Sequence, residues 1–220
     1  MQSKLFIATI AVMGLSACST IRDPIPSNLS AVDKLDHRVI DVPAFNRILI
    51  DANAMVDISE GPTQEVIIAT EPGHFVHLLS SVEDGQLIID HKKRHQDKYH
   101  TFIKITVPDL HGIAIDAVTD ANLHDIEAED FEFLFDGIGA VTMAGSCVNG
   151  RFIIDAIGDL EAKRFKCQNL IADFDGIGSI HLYASETLEL DASGIGDIVV
   201  DGSPMVKKSK IGGIGSTDIR

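Results

Sequence analysis

The sequence is poor in aromatic and in basic residues. Among its 220 residues there is no tryptophan, there are two tyrosines, and Phe, Trp and Tyr together make up 5% of the chain. Lysine and arginine number 18 against 33 aspartates and glutamates, so the formal net charge is -15. Proteins that bind nucleic acid neutralise phosphates with cations. Nucleic acid is therefore not an expected partner of this chain.

The longest apolar stretch lies at the N-terminus and is too short to span a bilayer. LFIATIAVMGL follows Lys4 and leads through small residues to Cys18, which is the order of a cleaved export signal. LSAC, residues 15–18, resembles the bacterial lipobox, and this resemblance implies a diacylglyceryl group on Cys18 and cleavage before it. Ser19 resembles the residue that directs such proteins to the outer membrane. The alternative is an ordinary secretory signal with an incidental cysteine.

These features predict the division of the chain. Residues 1–17 are expected to be a lipoprotein signal peptide. Residues 18–38 are expected to form a flexible tether, because they contain Pro24 and Pro26, scattered polar residues and no sustained period. Residues 39–220 are expected to form the β domain, with a β lead-in over 39–112 and coils over 113–220. The expected membrane partner is reached through the lipid on Cys18, because an acidic chain does not adhere to anionic lipids by charge.

A six-residue motif recurs through the second half of the chain. Its copies are separated by 20, 19, 20, 18 and 19 residues. The copies DAVTDA, DGIGAV, DAIGDL, DGIGSI, SGIGDI and GGIGST begin at Asp116, Asp136, Asp155, Asp175, Ser193 and Gly212. A phosphate-binding glycine loop occurs once per site, whereas near-constant spacing is the signature of stacked structural units. The repeat therefore predicts a parallel β-solenoid and disfavours a nucleotide site.

The apolar residues of the repeat suggest which side chains form the core. If the first residue of each copy is position 0, position +2 is Val118, Ile138, Ile157, Ile177, Ile195 or Ile214. Apolar residues also alternate before and after the motif with the period of a strand. We expect a shift of phase at a corner inside each repeat, with the +2 residues stacked in the core and Ile177 buried between Ile157 and Ile195.

Glycines occupy position +3 of five copies and position +1 of four. They are expected on the outer side of the corner. Two interpretations stay open, namely that they permit the backbone conformation of the corner, or that they form a flat strip on which a ligand lies.

Four segments, in order, resemble the head GIN domain family of auto-transporter adhesins. They are FNRILID, VEDGQLIID, ITVPDLHGIAIDAV and the GIG series, which together run from about Phe45 to Ile219. The resemblance implies an all-β fold, a right-handed parallel β-helix-like solenoid of about six short coils with an N-terminal β lead-in. It also implies a surface or periplasmic setting, and it brings no catalytic residue. Where the family often has Ser-Gly-Ser-Gly, this chain mostly has Asp-Gly-Ile-Gly.

The aspartates at position 0 form the first candidate site. Asp116, Asp136, Asp155 and Asp175 are expected to stack on neighbouring coils, where like charges about 5 Å apart repel one another. The repulsion could be relieved by calcium, but the motif recurs at about 19 residues, whereas calcium-binding β-rolls repeat every nine. We favour solvated carboxylates that accept hydrogen bonds from nearby backbone, and expect no metal and no cofactor.

Residues 91–100, HKKRHQDKYH, form a basic segment on this acidic chain. It lies between the strand-like QLIID and TFIKITV and is expected to be a hairpin loop. Lys92, Lys93, Arg94 and Lys98 are its candidate contacts for an anionic ligand. A solvated loop tip, a site for anionic glycan or lipopolysaccharide, and a contact with the acidic body of the same protein all remain open.

Cys147 and Cys167 lie eight residues before Asp155 and Asp175, so they occupy one column on neighbouring coils. Exported proteins form disulfides, but stacked residues stand farther apart at Cβ than disulfide geometry prefers. A disulfide and two packed thiols are both compatible with this pattern.

Two functions from different classes fit the sequence. The favoured one is a non-enzymatic, lipid-anchored envelope protein that presents a β-helical surface for adhesion to an envelope glycan or protein. The alternative is a carbohydrate-active β-helix enzyme, but such enzymes build a groove from long loops and carry paired carboxylates. After Ile113 the repeats leave no room for long insertions, and no catalytic residue is assigned.

Lipid attachment can be tested directly at Cys18. In a bacterial host given labelled palmitate, Cys18→Ser is expected to leave an unprocessed, unlabelled precursor, because the thiol that receives the lipid is gone. The measurement is the mobility and the label of the protein on a gel. A variant that is processed and labelled like the wild type would contradict the lipoprotein interpretation.

Overall fold

The protein is described by a computed structural model over residues 35–92 and 100–220. Within this range there are fifteen β-strands and one 3-10 helix (His74–His77). The strands are β1 (Asp36–Val39), β2 (Arg47–Asp51), β3 (Ala54–Glu60), β4 (Glu65–Thr70), β5 (Leu78–Glu83), β6 (Gln86–His91), β7 (Phe102–Val107), β8 (Gly112–Ile115), β9 (Thr119–Phe135), β10 (Val141–Ile154), β11 (Leu160–Phe174), β12 (Ile180–Ala192), β13 (Ile198–Asp201), β14 (Met205–Ile211) and β15 (Thr217–Ile219).

The repeat region is a β-solenoid of about five turns. Strands β9 to β12 are long and pair in parallel, each with the equivalent strand of the next coil, and the stack ends with β13 and β15 on one side and β14 on the other. The motif positions themselves are joined by parallel bridges from Val118 through Ile138, Ile157, Ile177 and Ile195 to Ile214. The predicted all-β solenoid is therefore confirmed, and the six motif copies lie one above another.

The lead-in strands continue the same stack. β2 pairs in parallel with β8 and β6, and β3 pairs in parallel with β9 and β7. The antiparallel pairs are β1 with β4, β4 with β7, and β5 with β6. The lead-in thus closes the solenoid at its N-terminal end with two antiparallel edges.

The expectation that residues 91–100 form a hairpin loop is wrong. β6 and β7, which flank this segment, do not pair with each other, because β6 lies between β2 and β5 whereas β7 lies between β3 and β4. The hairpin of this region joins β5 to β6, where Asp84 and Gly85 both have positive φ, 48° and 78°. An Asp-Gly pair suits this two-residue turn, so the segment VEDGQ already contained the signal.

The core is built from one uninterrupted alternation. From Phe135 to Val141 inward and outward positions follow each other through the whole motif, and the copies that begin at Asp155, Asp175 and Ser193 repeat this order. The expected shift of phase inside each repeat is therefore wrong. Phenylalanines fill the interior. The ring centroids of Phe133 and Phe152, on successive coils, are 5.5 Å apart, and those of Phe131 on β9 and Phe165 on β11 are 4.9 Å apart. The few aromatic residues of the chain are thus concentrated in the core.

The prediction that the +2 residues are buried is wrong. Their side chains stack on neighbouring coils as expected, but they point outward and are 46 to 72% exposed. Since the alternation is not interrupted, the inward places on both sides of the isoleucine belong to positions +1 and +3, which are mostly glycine. Ile177 is therefore half exposed between Ile157 and Ile195.

The glycines at position +3 are required by close contact between coils. Gly158 and Gly178 have φ of 146° and 152°, a region that residues with a Cβ rarely adopt. A Cβ added to Gly178 would overlap the carbonyl oxygen of Gly158, and one added to Gly158 would overlap that of Gly139. The chain bends at these glycines, so the interpretation of a corner that needs permissive backbone is supported.

Cys147 and Cys167 form a disulfide between two neighbouring coils. They face each other in the register of β10 and β11, their Cα atoms are 4.4 Å apart, and both side chains are buried. Ala128 and Ala184 continue the column on either side. The disulfide thus joins two rungs in the middle of the stack.

The glycine contacts predict a large difference between two substitutions. Gly178→Ala is expected to lower the free energy of unfolding by about 3 kcal/mol, because the new methyl group meets backbone and the φ is unfavourable. Gly212→Ala is the control, since a Cβ at Gly212 meets nothing within 4 Å, and it should change stability by less than about 0.5 kcal/mol. Urea unfolding of both variants checks this, and equal stabilities would contradict the close-contact explanation.

Candidate binding surface

One outer wall of the solenoid is formed by the motif copies. We call the outward side chains at positions 0, +2 and +4 of the six copies the GIG wall. Its central column is the isoleucine ridge, which consists of Val118, Ile138, Ile157, Ile177, Ile195 and Ile214. Exposed aliphatic side chains in one continuous row are unusual on a monomeric surface, which makes this wall the candidate binding surface.

An acidic row borders the ridge on each side. The row at position 0 contains Asp116, Asp136, Asp155 and Asp175, and the row at position +4 contains Asp120, Asp159 and Asp197. All seven side chains are exposed. No lysine, arginine or histidine occurs at any of the three outward positions of the six copies. The GIG wall is therefore an apolar ridge between two rows of negative charge.

The row at position +4 has a structural role. Asp120, Asp159 and Asp197 accept hydrogen bonds, 2.8 to 2.9 Å long, from the backbone N–H of the equivalent residue in the next coil, namely Ala140, Ser179 and Ser216. The Ser216 hydroxyl and backbone N–H also lower the pKa of the Asp197 carboxyl below its ordinary value. Because aspartate alternates with alanine or serine in this row, carboxylates never stack on successive coils.

The row at position 0 is different. Its four aspartates occupy successive coils, and within the described parts of the chain no side-chain hydrogen bond or ion pair is formed by Asp116, Asp136, Asp155 or Asp175. The expectation that these carboxylates accept hydrogen bonds from backbone is therefore wrong. That role belongs to position +4, because the backbone N–H groups in need of an acceptor follow the position +3 glycines.

The described residues contain no group of three or more carboxylate, imidazole or thiolate side chains arranged to hold a metal ion.

Outside the GIG wall, a network of hydrogen bonds and ion pairs joins His181, Asp201 and Arg220. The sequence pattern did not predict it. The His181 Nε2 atom lies 2.8 Å from an Asp201 oxygen, and Arg220 Nε donates to the other Asp201 oxygen over 2.8 Å. Both hydrogen bonds lower the pKa of the Asp201 carboxyl, and the one from Arg220 has the larger effect. The partners come from three different coils, so this network ties coils together, and spacing along the chain alone did not connect them.

His124 belongs to a similar cluster near the N-terminal end. Its two ring nitrogens lie 2.7 Å from Asp125 and 3.3 Å from Asp57. Burial lowers the pKa of His124, but the hydrogen bonds with Asp125 and Asp57 outweigh it, and the pKa is raised above its ordinary value. The two carboxylates thus favour the charged form of the imidazole. These contacts join β9 to β3 and therefore stabilise the fold.

Most of the predicted contact and lipid residues lie outside the described residues. Lys92 follows β6 and is exposed, whereas Lys93, Arg94, Lys98 and Cys18 fall in the parts of the chain that the structure does not describe. In the described parts, no helix has the length and apolar character needed to cross a membrane.

A second basic segment was overlooked. Lys207, Lys208 and Lys210 lie on β14, whose side chains are all exposed. The sequence KKSK was a visible signal for it.

Comparison with known proteins places this architecture in a family. The profile of the family described as "putative auto-transporter adhesin, head GIN domain" matches residues 44–204. The chain belongs to this family. A search among curated proteins finds no match.

Solved structures share the fold. A protein from Bacteroides fragilis NCTC 9343, described as a putative adhesin, is 21% identical with a TM-score of 0.70, and the match covers 85% of this chain and 97% of that one. A second protein described in the same words, from Parabacteroides distasonis ATCC 8503, is 18% identical with a TM-score of 0.50 over 85% of this chain and 97% of that one. At these identities the likeness concerns the fold.

The facing of the ridge can be tested with two isoleucines from one copy. Ile177→Ser is expected to lower the free energy of unfolding by less than about 1 kcal/mol, because the side chain is half exposed. Ile180→Ser, three residues later, should cost about 3 kcal/mol or more, since Ile180 is 2% exposed in the core. Thermal unfolding of the two variants measures the difference, and a larger loss for Ile177 would restore the inward assignment.

Proposed function

We propose that this protein is a non-enzymatic, lipid-anchored envelope protein that uses the outer walls of its solenoid for adhesion. The observation that carries the proposal is the isoleucine ridge, which leaves six aliphatic side chains exposed along the whole repeat region. Exposing apolar side chains to water is unfavourable in free energy, and burying them against a partner is favourable. Membership of an adhesin family supports the same function.

Anchoring is assigned to the lipid on Cys18. The chain carries a net charge of -15, so an anionic membrane surface repels it, and acyl chains contribute about 0.8 kcal/mol per buried methylene. The predicted tether of residues 18–38 overlaps β1 (Asp36–Val39), which pairs with β4. The part of it that precedes Asp36 would separate the described domain from the bilayer. The location proposed is the outer membrane, on the basis of Ser19.

The basic segment is the proposed contact with anionic envelope components. Lys92, Lys93, Arg94 and Lys98 lie close together in the sequence, and Lys92 is exposed at the end of β6. Each exposed charge contact contributes roughly 0 to 1 kcal/mol. Several of them acting together are needed, and their combined effect should be sensitive to salt.

The proposal predicts salt-sensitive retention on lipopolysaccharide or peptidoglycan. A variant of the full chain with glutamine at Lys92, Lys93, Arg94 and Lys98 is expected to bind about tenfold more weakly than the wild type at low ionic strength. The control carries glutamine at Lys104, Arg151, Lys163 and Lys207, which removes the same charge from exposed positions on four different strands. It should bind within about twofold of the wild type.

The same assay separates the two function classes. Soluble saccharide released in proportion to time and protein would contradict the non-enzymatic proposal and favour a carbohydrate-active enzyme. Equal retention of both variants would remove the basic segment from the binding site, and the absence of any retention would contradict binding to these envelope components.

A further inference from the structure

The GIG wall has the dimensions of an extended peptide. Coils of a parallel stack are about 4.8 Å apart, so the six rungs of the isoleucine ridge span about 24 Å, the length of about seven extended residues. Residues two apart in a strand are separated by about 7 Å, which is the distance from the ridge to either acidic row. The ridge is therefore a narrow apolar track with carboxylates on both sides.

The row at position 0 holds unrelieved repulsion. Four aspartates follow one another at the spacing of the coils, where like charges repel by roughly 1 kcal/mol per pair even in water. The row at position +4 alternates aspartate with small residues and avoids this repulsion while still serving the backbone. Folding thus does not require carboxylates on consecutive coils. A cationic partner would reduce the repulsion between them.

The charge of the wall also argues against other occupants. Anionic glycans and membrane surfaces are repelled by both acidic rows. The same wall of a second copy would place carboxylates opposite carboxylates, which costs free energy. The remaining complement is a partner that brings positive charges together with apolar surface.

Long cationic side chains combine both properties. The methylene stems of lysine and arginine pack on apolar surface, while their charged heads reach polar groups at its border. We propose that the GIG wall binds an extended lysine- or arginine-rich segment of a partner protein, with the stems on the isoleucine ridge and the heads at the acidic rows. This inference rests on the proposed adhesive function and names the partner class for one wall.

The test uses fluorescently labelled decalysine as the probe and the full chain as the binder. The acidic variant is Asp136→Asn, Asp155→Asn, Asp175→Asn, which leaves the structural carboxylates of position +4 in place. Its control, Glu65→Gln, Glu129→Gln, Glu186→Gln, makes the same change of charge at exposed positions outside the wall. Fluorescence anisotropy at low ionic strength is expected to show about tenfold weaker binding for the acidic variant and at most about twofold for its control.

The ridge is tested with a second pair of variants. Ile157→Thr, Ile177→Thr, Ile195→Thr keeps the β-branched shape and the charge of the wall but removes apolar surface. We expect about fivefold weaker binding of decalysine, with an unchanged dependence on salt. The control Val39→Thr, Val76→Thr, Ile171→Thr changes exposed aliphatic side chains elsewhere and should bind within about twofold of the wild type.

The outcomes decide the inference separately from the proposed function. A wild-type chain that does not bind decalysine overturns it, and so does equal weakening by the acidic variant and its control, because binding would then reflect net charge alone. If the ridge variant binds decalysine like the wild type, the lysine methylene groups do not pack on the isoleucine ridge, and that part of the inference is overturned. The thermal unfolding midpoints of all four variants must stay near that of the wild type. Lipid labelling at Cys18 and retention on envelope components are independent of these results.

Discussion

The contact between the backbones of neighbouring coils at the position +3 glycines is the constraint on which the other features depend. At Gly158 and Gly178 the chain adopts a positive φ and lies so close to the coil before it that no Cβ fits between them. This contact holds the motif copies in register, because a shift by one residue would place a side chain where there is no room. The ridge, the acidic rows and the paired cysteines are aligned as a result.

Register turns a repeat in the sequence into columns in space, and the columns differ in what they stabilise. The inward columns supply phenylalanine, leucine and isoleucine to the core, and at the motif they supply glycine. Outward columns carry polar ladders, such as the one in which Asn149 donates to Asp130 and Asn169 donates to Asn149. The Asp201 network adds ionic contacts between coils. The coils are thus stabilised on the inside by burial and on the outside by hydrogen bonds that cross from one coil to the next.

The GIG wall is the place where the outward columns do not serve the fold alone. Hydrogen bonds to backbone explain the aspartates at position +4, but the exposed isoleucines and the consecutive aspartates at position 0 contribute little to folding that smaller neutral residues could not. Side chains with no evident structural benefit on a rigid surface are candidates for recognition. Exposed lysines also occur on the described surface away from the wall, among them Lys207, Lys208 and Lys210 on β14.

The sequence alone determined that this chain is a stack of parallel β-coils, because six motif copies at near-constant spacing are typical of structural units that stack on one another. It also placed Cys147 and Cys167 in one column, while their joining as a disulfide depended on how closely two coils approach. Tertiary structure decided which way the motif faces. An isoleucine between two glycines fits an inward or an outward position equally well by pattern, and only the close approach of the backbones shows that the glycines occupy the inner places. The partners of β6 and β7, the alternating aspartates of position +4 and the Asp201 network were likewise decided in three dimensions, since each joins residues about one coil or more apart in the chain.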